Sequence, residues 1–226
     1  MFEFPFDLLI LIAAGLFAGF VNTIAGGGSL LTLPLLIFLG LPPATANGTN
    51  RIAIFVSASA ATLGFRSKNI NSFPFSLYLG IAALLGALIG ARIAVEIDGL
   101  LFNKILAIIM MAVVLLMVLK PNYKSQLLEP KTTGKILIWS MVAFFFIGIY
   151  GGFINAGIGF IIMLFLNYVN KLDLVRVNAT KVALVLVYTT AALITFVLTG
   201  HINLEHGIAL AIGNAAGAFY ASGEAA

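Results

Sequence analysis

The sequence predicts an all-α membrane protein that crosses the bilayer several times and is built from two related halves. Of the 226 residues, 62% are apolar and only 9% are charged, whereas about 25% are charged in an ordinary soluble domain. The mean hydropathy is +1.13. A water-exposed surface cannot be built from this mixture, so most of the chain must lie in lipid. At about 20 residues a span, the chain has room for roughly seven spans.

The composition also excludes several kinds of site. The chain has no cysteine, which excludes disulfides, thiolate metal ligands and iron–sulfur clusters. It has two histidines and no paired carboxylates, zinc motif or nucleophile beside a base, so we expect no metal, no cofactor and no enzyme activity. The basic residues that give the net charge of +4 are spread over short loops. That spread indicates a membrane protein rather than a nucleic-acid partner.

Charged and turn residues divide the chain into three parts. We predict a first transmembrane repeat at 1–120, a cytoplasmic linker at 121–135 and a second transmembrane repeat at 136–226. Outside the two long uncharged stretches, the predicted spans are 52–65, 73–95, 100–119, 178–199 and 206–222.

Short segments recur in the same order in both repeats. Residues 18–22 match residues 151–155 at a separation of 133, and the Asn-x-Thr segment 47–49 matches 178–180 at a separation of 131. Duplication explains these ordered matches better than chance similarity among apolar helices, and such repeats are typical of transporters. The counterpart of span 100–119 would begin beyond residue 226, so we expect the last helix of the second repeat to be missing.

Each repeat begins with an uncharged stretch that is too long for one span. A helix over 8–39 would be about 48 Å long, whereas the hydrocarbon core is about 30 Å thick. Gly26-Gly27-Gly28-Ser29 interrupts the first stretch and Gly157-Ile-Gly159 interrupts the second, and Ser29 is a natural N-cap for a second half-helix. Each stretch is therefore either one strongly tilted crossing or a re-entrant hairpin that breaks near the midplane.

The loop charges favour the hairpins. If each stretch crosses the membrane once, six basic residues lie on each side of it. If each stretch returns to the side where it began, nine basic residues lie on one side and three on the other, which is the asymmetry that the positive-inside rule expects. The hairpin model puts the N-terminus outside and the Lys120–Lys135 loop in the cytoplasm. It also inverts the second repeat relative to the first, about a pseudo-two-fold axis in the membrane plane.

The breaks and the Asn-x-Thr segments form a candidate anion site. A break leaves N–H groups unpaired at the start of the following half-helix, where the helix dipole also attracts an anion. The candidate substrate-binding residues are Asn22, Gly26, Gly27, Gly28, Ser29, Asn47, Thr49, Arg51, Asn155, Gly157, Gly159, Asn178, Thr180 and Lys181.

Each group of residues also has a structural explanation. The glycines could serve close packing between helices instead of ligand approach. Asn22 and Asn155 could brace the broken backbone instead of binding substrate oxygens. The Asn and Thr residues of the repeated segment are natural N-caps. Arg51 and Lys181 either reach the membrane interface with their long side chains or line a polar cavity, where they would act as gates or steering charges.

Two continuous motifs carry a family resemblance. Gly19-Phe-Val-Asn-Thr-Ile-Ala-Gly-Gly-Gly-Ser-Leu-Leu-Thr-Leu-Pro34 and Gly40-Leu-Pro-Pro-Ala-Thr-Ala-Asn-Gly-Thr-Asn-Arg51 resemble the TauE/SafE sulfite exporter family. The weaker second copy fits as well, including Gly213-Asn-Ala-Ala-Gly-Ala218. The resemblance implies a carrier of small sulfur-containing anions, such as sulfite and organosulfonates, in a bacterial or organellar membrane. We expect the bacterial inner membrane.

The leading interpretation is a secondary transporter that moves a small oxyanion. An anion channel, or a membrane scaffold or assembly protein that transports nothing, are the alternatives. The expected partners are a small-molecule anion and membrane lipid. A homo-oligomer and a coupling proton or sodium ion stay open, as does the choice among sulfite, organosulfonates and similar anions.

Overall fold

A computed structural model describes residues 6–118 and 129–224, and over these ranges the chain forms nine α-helices and no strand. The helices are α1 (Phe6–Ile24), α2 (Ser29–Phe38), α3 (Pro43–Ser67), α4 (Phe75–Glu96), α5 (Gly99–Val118), α6 (Gly134–Phe153), α7 (Ile158–Tyr168), α8 (Leu174–Leu198) and α9 (Leu204–Glu224). The predicted all-α class is confirmed. The first five residues and residues 121–128 of the predicted linker lie outside the described residues.

Five of the described helices are long and apolar enough to cross a membrane: α1, α4, α5, α6 and α8. Two further apolar helices, α2 and α7, are too short to do so. Large apolar side chains such as Trp139 and Phe146 are exposed on the outer surface, as expected where lipid is the solvent. The protein is therefore a multi-pass membrane protein, as the composition predicts.

Both predicted breaks are present. Helix α1 ends at Ile24 and α2 begins at Ser29, while α6 ends at Phe153 and α7 begins at Ile158. Gly26 (φ 82°), Asn155 (φ 63°) and Gly157 (φ 69°) adopt left-handed backbone conformations there, which glycine and asparagine tolerate best. The expectation that Ser29 caps α2 is wrong. Gly28 holds the cap position without a side-chain hydrogen bond, and Ser29 is the first helical residue.

The segment α6–α7 starts and ends at the same end of the bundle. The backbone N–H of Lys131, just before α6, donates to the carbonyl oxygen of Asn170, just after α7, over 2.8 Å. The Asn170 amide also donates to Ser140 Oγ in the second turn of α6, over 3.0 Å. Helix α7 therefore runs back along α6, as a hairpin requires. The orientation of the two repeats relative to a membrane stays a prediction.

The two ends of the bundle are identified by hydrogen bonds between its loops and central helices. At the Ser72 end, defined by loops 68–74, 129–133 and 169–173, Ser72 Oγ donates to the carbonyl oxygen of Ala179 over 3.5 Å. At the Asn203 end, defined by loops 39–42 and 199–203, the Asn203 N–H donates to Thr49 Oγ1 over 2.9 Å. Helices α3 and α8 thus run antiparallel through the centre.

Helices of one half pack on helices of the other. Helix α1 lies along α9 and α6 lies along α4, while α3 contacts α9 and α8 contacts α4. Glycines make the first two contacts close. A Cβ on Gly213 or Gly217 would overlap the backbone of α1, and a Cβ on Gly86 or Gly90 would overlap that of α6. Small residues let helices approach in this way in membranes.

The central helices begin earlier than the sequence predicts. Helix α3 begins at Pro43, whose fixed φ suits a first helical turn, and α8 begins at Leu174 after the cap Asp173, which accepts a hydrogen bond from the Arg176 N–H. The two Asn-x-Thr segments therefore lie inside helices, in their second turns. Asn47, Thr49, Asn178 and Thr180 are not N-caps, and all four are buried.

Candidate functional site

The two breaks meet in the interior of the bundle. A Cβ added to Gly26 would overlap the Cα of Gly159, and one added to Gly159 would overlap the Cα of Gly26. The start of α7 therefore lies against the first break, backbone to backbone. Only glycine permits this approach on either side. The sequence predicted a site between the breaks, and the structure brings them into contact.

A small cavity of about 10 Å³ lies beside this contact, about the space of one water molecule. Four helical segments line it: the end of α1, the middle of α3, the start of α7 and the middle of α8. Its polar lining consists of Asn22, Thr23, Ser57, Asn155, Lys181 and Tyr188. We call it the central cavity.

Asn155 connects the two breaks by hydrogen bonds. Its Nδ2 donates to Ser29 Oγ at the start of α2 over 3.2 Å, and its Oδ1 accepts from the Tyr188 hydroxyl over 2.6 Å. The left-handed backbone at Asn155 aims the side chain into this position. Asn155 therefore braces the second break against the first while it lines the cavity.

Asn22 differs from Asn155, its sequence counterpart. Its side chain lines the central cavity, yet it makes no hydrogen bond to any residue that the structure describes. The backbone N–H of Gly159, another lining residue, likewise has no partner within the described ranges. Gly159 is buried and Asn22 is half-buried, and an N–H group that is removed from water without a protein partner is costly. These two groups are therefore the ones that a bound ligand or a water would satisfy.

Lys181 supplies the charge of the central cavity. Only 2% of its surface is exposed. Its Nζ donates to the carbonyl oxygen of Thr23 over 2.8 Å and to Asn178 Oδ1 over 2.9 Å, and Met163 Sδ lies 3.5 Å away. Because Thr23 is in the last turn of α1, the ammonium sits at the negative end of that helix dipole, which favours a cation.

Arg51 donates hydrogen bonds to the end of α6 at the second break, as Lys181 does to the end of α1 at the first. Its Nη1 donates to the carbonyl oxygen of Gly151 over 2.6 Å, and its Nη2 donates to that of Gly152 over 2.8 Å and to Asn47 Oδ1 over 3.3 Å. The Asn47 amide in turn donates to the Phe153 carbonyl over 2.6 Å. Residues on α3 thus satisfy the last carbonyls of α6.

The interpretation that Arg51 and Lys181 reach the membrane interface is wrong. Arg51 is fully buried and Lys181 is nearly so, and both side chains end on broken helices of the opposite half. The unpaired carbonyls at a helix end need donors that lipid cannot supply. The two cations also differ in place, because Lys181 lines the central cavity and Arg51 does not.

A larger cavity of about 470 Å³ opens at the Ser72 end. Loop 69–74 and the first turns of α8 form most of its wall, and its polar lining includes Asn71, Asp173, Arg176 and Thr180. Thr180 faces this outer cavity whereas its neighbour Lys181 faces the central one. Adjacent residues of α8 therefore line the two spaces.

The Asn203 end is closed at the equivalent position. Thr49, the counterpart of Thr180 in the repeat, accepts the hydrogen bond from the Asn203 N–H. A Cβ on Gly48 would overlap the carbonyl oxygen of His201, so loop 199–203 packs directly on α3. The two ends of the central helices thus have different conformations, one open and one sealed.

The remaining predicted glycines have packing or conformational reasons of their own. A Cβ on Gly28 would overlap the carbonyl oxygen of Ala18, and one on Gly27 would come within 2.8 Å of the Phe160 ring. Gly157 has a left-handed φ and packs on Val113. These contacts explain the residues without a ligand, and a role in binding stays a prediction for each.

Sequence reasoning missed three polar residues that line the cavity: Thr23, which directly follows Asn22, and the pair Ser57 and Tyr188. Ser57 and Tyr188 are separated by 131 residues, the same separation as the Asn-x-Thr segments. At that separation Lys181 corresponds to Asn50, not to Arg51. Extending the repeat alignment through α3 and α8 would have identified Ser57 and Tyr188.

Comparison with known families identifies the family of this chain. The family model described as "Sulfite exporter TauE/SafE" matches residues 11–225, nearly the whole chain. The chain belongs to the TauE/SafE sulfite exporter family. The resemblance that the two glycine-rich motifs indicate is thereby confirmed.

Curated relatives carry transporter names. A "Probable membrane transporter protein" of Haemophilus influenzae is 30% identical over 213 residues, which cover 94% of this chain and 83% of the relative. The "Probable membrane transporter protein YfcA" of Escherichia coli K12 is 26% identical, over 95% of this chain and 79% of the relative. The corresponding YunE protein of Bacillus subtilis is 23% identical over 92% and 84%. The chain is thus a membrane transporter by family. No solved structure matches it.

Proposed function

We propose that the protein is a secondary carrier of a small oxyanion, such as sulfite, an organosulfonate or a similar sulfur-containing anion. One observation carries the proposal: the central cavity joins a buried ammonium to amide donors at the point where two broken helices meet. An oxyanion needs these two features, opposite charge and several N–H or O–H donors. The sulfur in the proposal rests on the family name.

The different states of the two ends favour a carrier over a channel. The central cavity lies in the interior of the bundle, an outer cavity at the Ser72 end is lined by Thr180, the neighbour of Lys181 on α8, and the equivalent position at the Asn203 end is sealed by Thr49. A carrier opens its site to one side at a time, whereas a conducting channel needs a continuous path. We place the Ser72 end in the cytoplasm, because Arg66, Lys68, Lys131 and Lys171 lie there.

The test is anion exchange by purified protein in liposomes. Vesicles loaded with unlabelled sulfite should accumulate radiolabelled sulfite against its gradient, and the rate should saturate with external concentration. Vesicles without protein are the control. Flux that never saturates and shows no exchange stimulation would assign a channel. Absence of any sulfite, sulfonate or sulfate flux would contradict the proposal.

A further inference from the structure

The central cavity holds one positive charge and no negative one. Its single basic side chain is Lys181, and its lining contains no carboxylate. Within the described residues, no Asp or Glu oxygen lies within 4.0 Å of Lys181, since the ion pair found there joins Arg176 to Asp173 at the surface. An ammonium inside a membrane protein without a counter-ion favours any ligand that brings one negative charge.

The second buried cation, Arg51, does not line this cavity. The Arg51 guanidinium is directed to the carbonyl oxygens of Gly151 and Gly152 and to Asn47. Its two terminal nitrogens are committed to the end of α6 and to Asn47, while its buried Nε–H has no partner among the described residues. A ligand with two negative charges would therefore keep one of them uncompensated in a medium of low dielectric constant.

Lys181 has one donor that a ligand can use. An ammonium has three N–H groups, and two of them meet strong acceptors, the Thr23 carbonyl and Asn178 Oδ1. The third neighbour is the thioether of Met163 at 3.5 Å, a weak acceptor. An anion oxygen in place of that sulfur would complete the coordination of Nζ without breaking either strong bond.

Uncharged groups at the same cavity can hold the remaining oxygens. The Asn22 amide and the Gly159 N–H are donors without a partner among the described residues, and the Ser57 hydroxyl lines the same space. Tyr188 donates a hydrogen bond to Asn155, so these two side chains form part of the cavity wall and are not counted as free donors. This set provides three or four donors around one ammonium, which suits a compact tetrahedral or pyramidal oxyanion.

We propose that the transported species is a singly charged oxyanion, which takes the place of Met163 Sδ at the Nζ of Lys181. The inference rests on the proposed function and narrows its substrate to monoanions, such as sulfonates or the protonated form of sulfite. The cavity in this conformation, of about 10 Å³, is too small for such a ligand. Binding therefore requires the breaks at Gly26 and Gly159 to separate.

The experiment compares anions of one shape and different charge. Proteoliposomes loaded with radiolabelled methanesulfonate are exposed to unlabelled methanesulfonate, perchlorate or sulfate, and efflux stimulated by each anion is measured. All three are tetrahedral at the central atom; the first two carry one charge and sulfate carries two. We expect both monoanions to stimulate exchange at concentrations at least tenfold below that needed for sulfate.

Two variants test the residue that makes the distinction. Lys181→Gln should lower the apparent affinity for methanesulfonate at least tenfold, whereas Arg92→Gln, at an exposed cation on α4, should not change it. Met163→Leu removes only the weak sulfur acceptor and should retain or strengthen binding. It remains informative if Lys181→Gln does not fold, because a tenfold loss in Met163→Leu would contradict the exchange at Nζ.

The outcomes separate this inference from the proposed function. If sulfate exchanges as well as the monoanions or better, the protein is an oxyanion carrier and the inference is wrong. If Lys181→Gln folds and keeps wild-type affinity, Lys181 is not the binding cation. If none of the three anions nor sulfite exchanges, the proposed function itself falls.

Discussion

The Nζ of Lys181 lies 2.8 Å from the carbonyl oxygen of Thr23, 158 residues away in sequence and in the opposite half of the molecule. Arg51 makes the equivalent contact in the other direction, to Gly151 at the end of α6. Each half therefore supplies the cation that satisfies the broken helix of the other. The halves cannot form these sites separately, because the carbonyls and their donors belong to different halves of the chain.

The Arg51 contacts predict a structural role for that residue. Arg51→Gln should lower the free energy of unfolding by about 1–3 kcal/mol, because the Gly151 and Gly152 carbonyls lose donors that nothing else supplies. Arg51→Lys should rescue this only in part, since an ammonium cannot reproduce the planar fork. The measurement is thermal unfolding in detergent, with the exposed Arg92→Gln as control. Equal stability of both Gln variants would mean that Arg51 does not brace α6.

The contact between Gly26 and Gly159 predicts sensitivity to a single methyl group. Gly159→Ala should destabilise the protein by about 1–3 kcal/mol, because the new Cβ forces the two breaks apart. Gly223 is the matched control, since a Cβ there meets nothing within 4 Å, and Gly223→Ala should change stability by less than about 1 kcal/mol. The measurement is the thermal unfolding midpoint of each variant in the same detergent. A Gly159→Ala protein as stable as Gly223→Ala would contradict the contact.

Because Asn22 and Asn155 have different environments, we expect their replacement by leucine to have different effects. Asn22→Leu should weaken anion binding by about 1.5–3 kcal/mol and leave the unfolding midpoint nearly unchanged, because Asn22 has no partner among the described residues. Asn155→Leu should lower stability as well, since Ser29 and Tyr188 lose their partner and a left-handed φ is forced on leucine. The exposed Asn103→Leu is the control for both. Binding by Asn22→Leu at wild-type strength would remove Asn22 from the site.

The two ends of the bundle predict an accessibility pattern. The chain has no cysteine, so single cysteines at Gly40, Lys131 and Asp173 can be labelled without background. Gly40 lies at the Asn203 end and the other two lie at the Ser72 end. A reagent that cannot cross the membrane should label Gly40→Cys from outside and the other two only after permeabilisation. Labelling of Lys131→Cys and Asp173→Cys from opposite sides would contradict the α6–α7 hairpin.

Local chemistry made part of this molecule predictable. A composition that cannot build a water-exposed surface determines the membrane class, and glycine-rich interruptions in stretches too long for one span determine the breaks at 26–29 and 157–159. The paired Asn22 and Asn155 were predictable from the repeat alone. These features depend on composition, length and spacing, which the sequence states directly.

Predictions from the sequence were wrong where a residue was assigned the usual role of its type, such as an N-cap or an interfacial cation. Ser29 and the Asn-x-Thr residues resemble N-caps, but Pro43 and Asp173 start the central helices earlier. Cations near predicted helix ends resemble interfacial residues, but α3 and α8 carry Arg51 and Lys181 into the interior. In each case a contact elsewhere in the chain decided the position.

By itself, the sequence determined a membrane transporter of the TauE/SafE family with two interrupted helical stretches, and it predicted that the two halves are related. Only the tertiary structure decided that Lys181 rather than Arg51 faces the central cavity, that Ser57 and Tyr188 line it, and that the two breaks touch. The physical reason is that lipid offers no hydrogen bonds, so the open carbonyls of each broken helix must find donors inside the protein. Those donors lie 100 or more residues away along the chain, and only the folded packing of α3 and α8 brings them there.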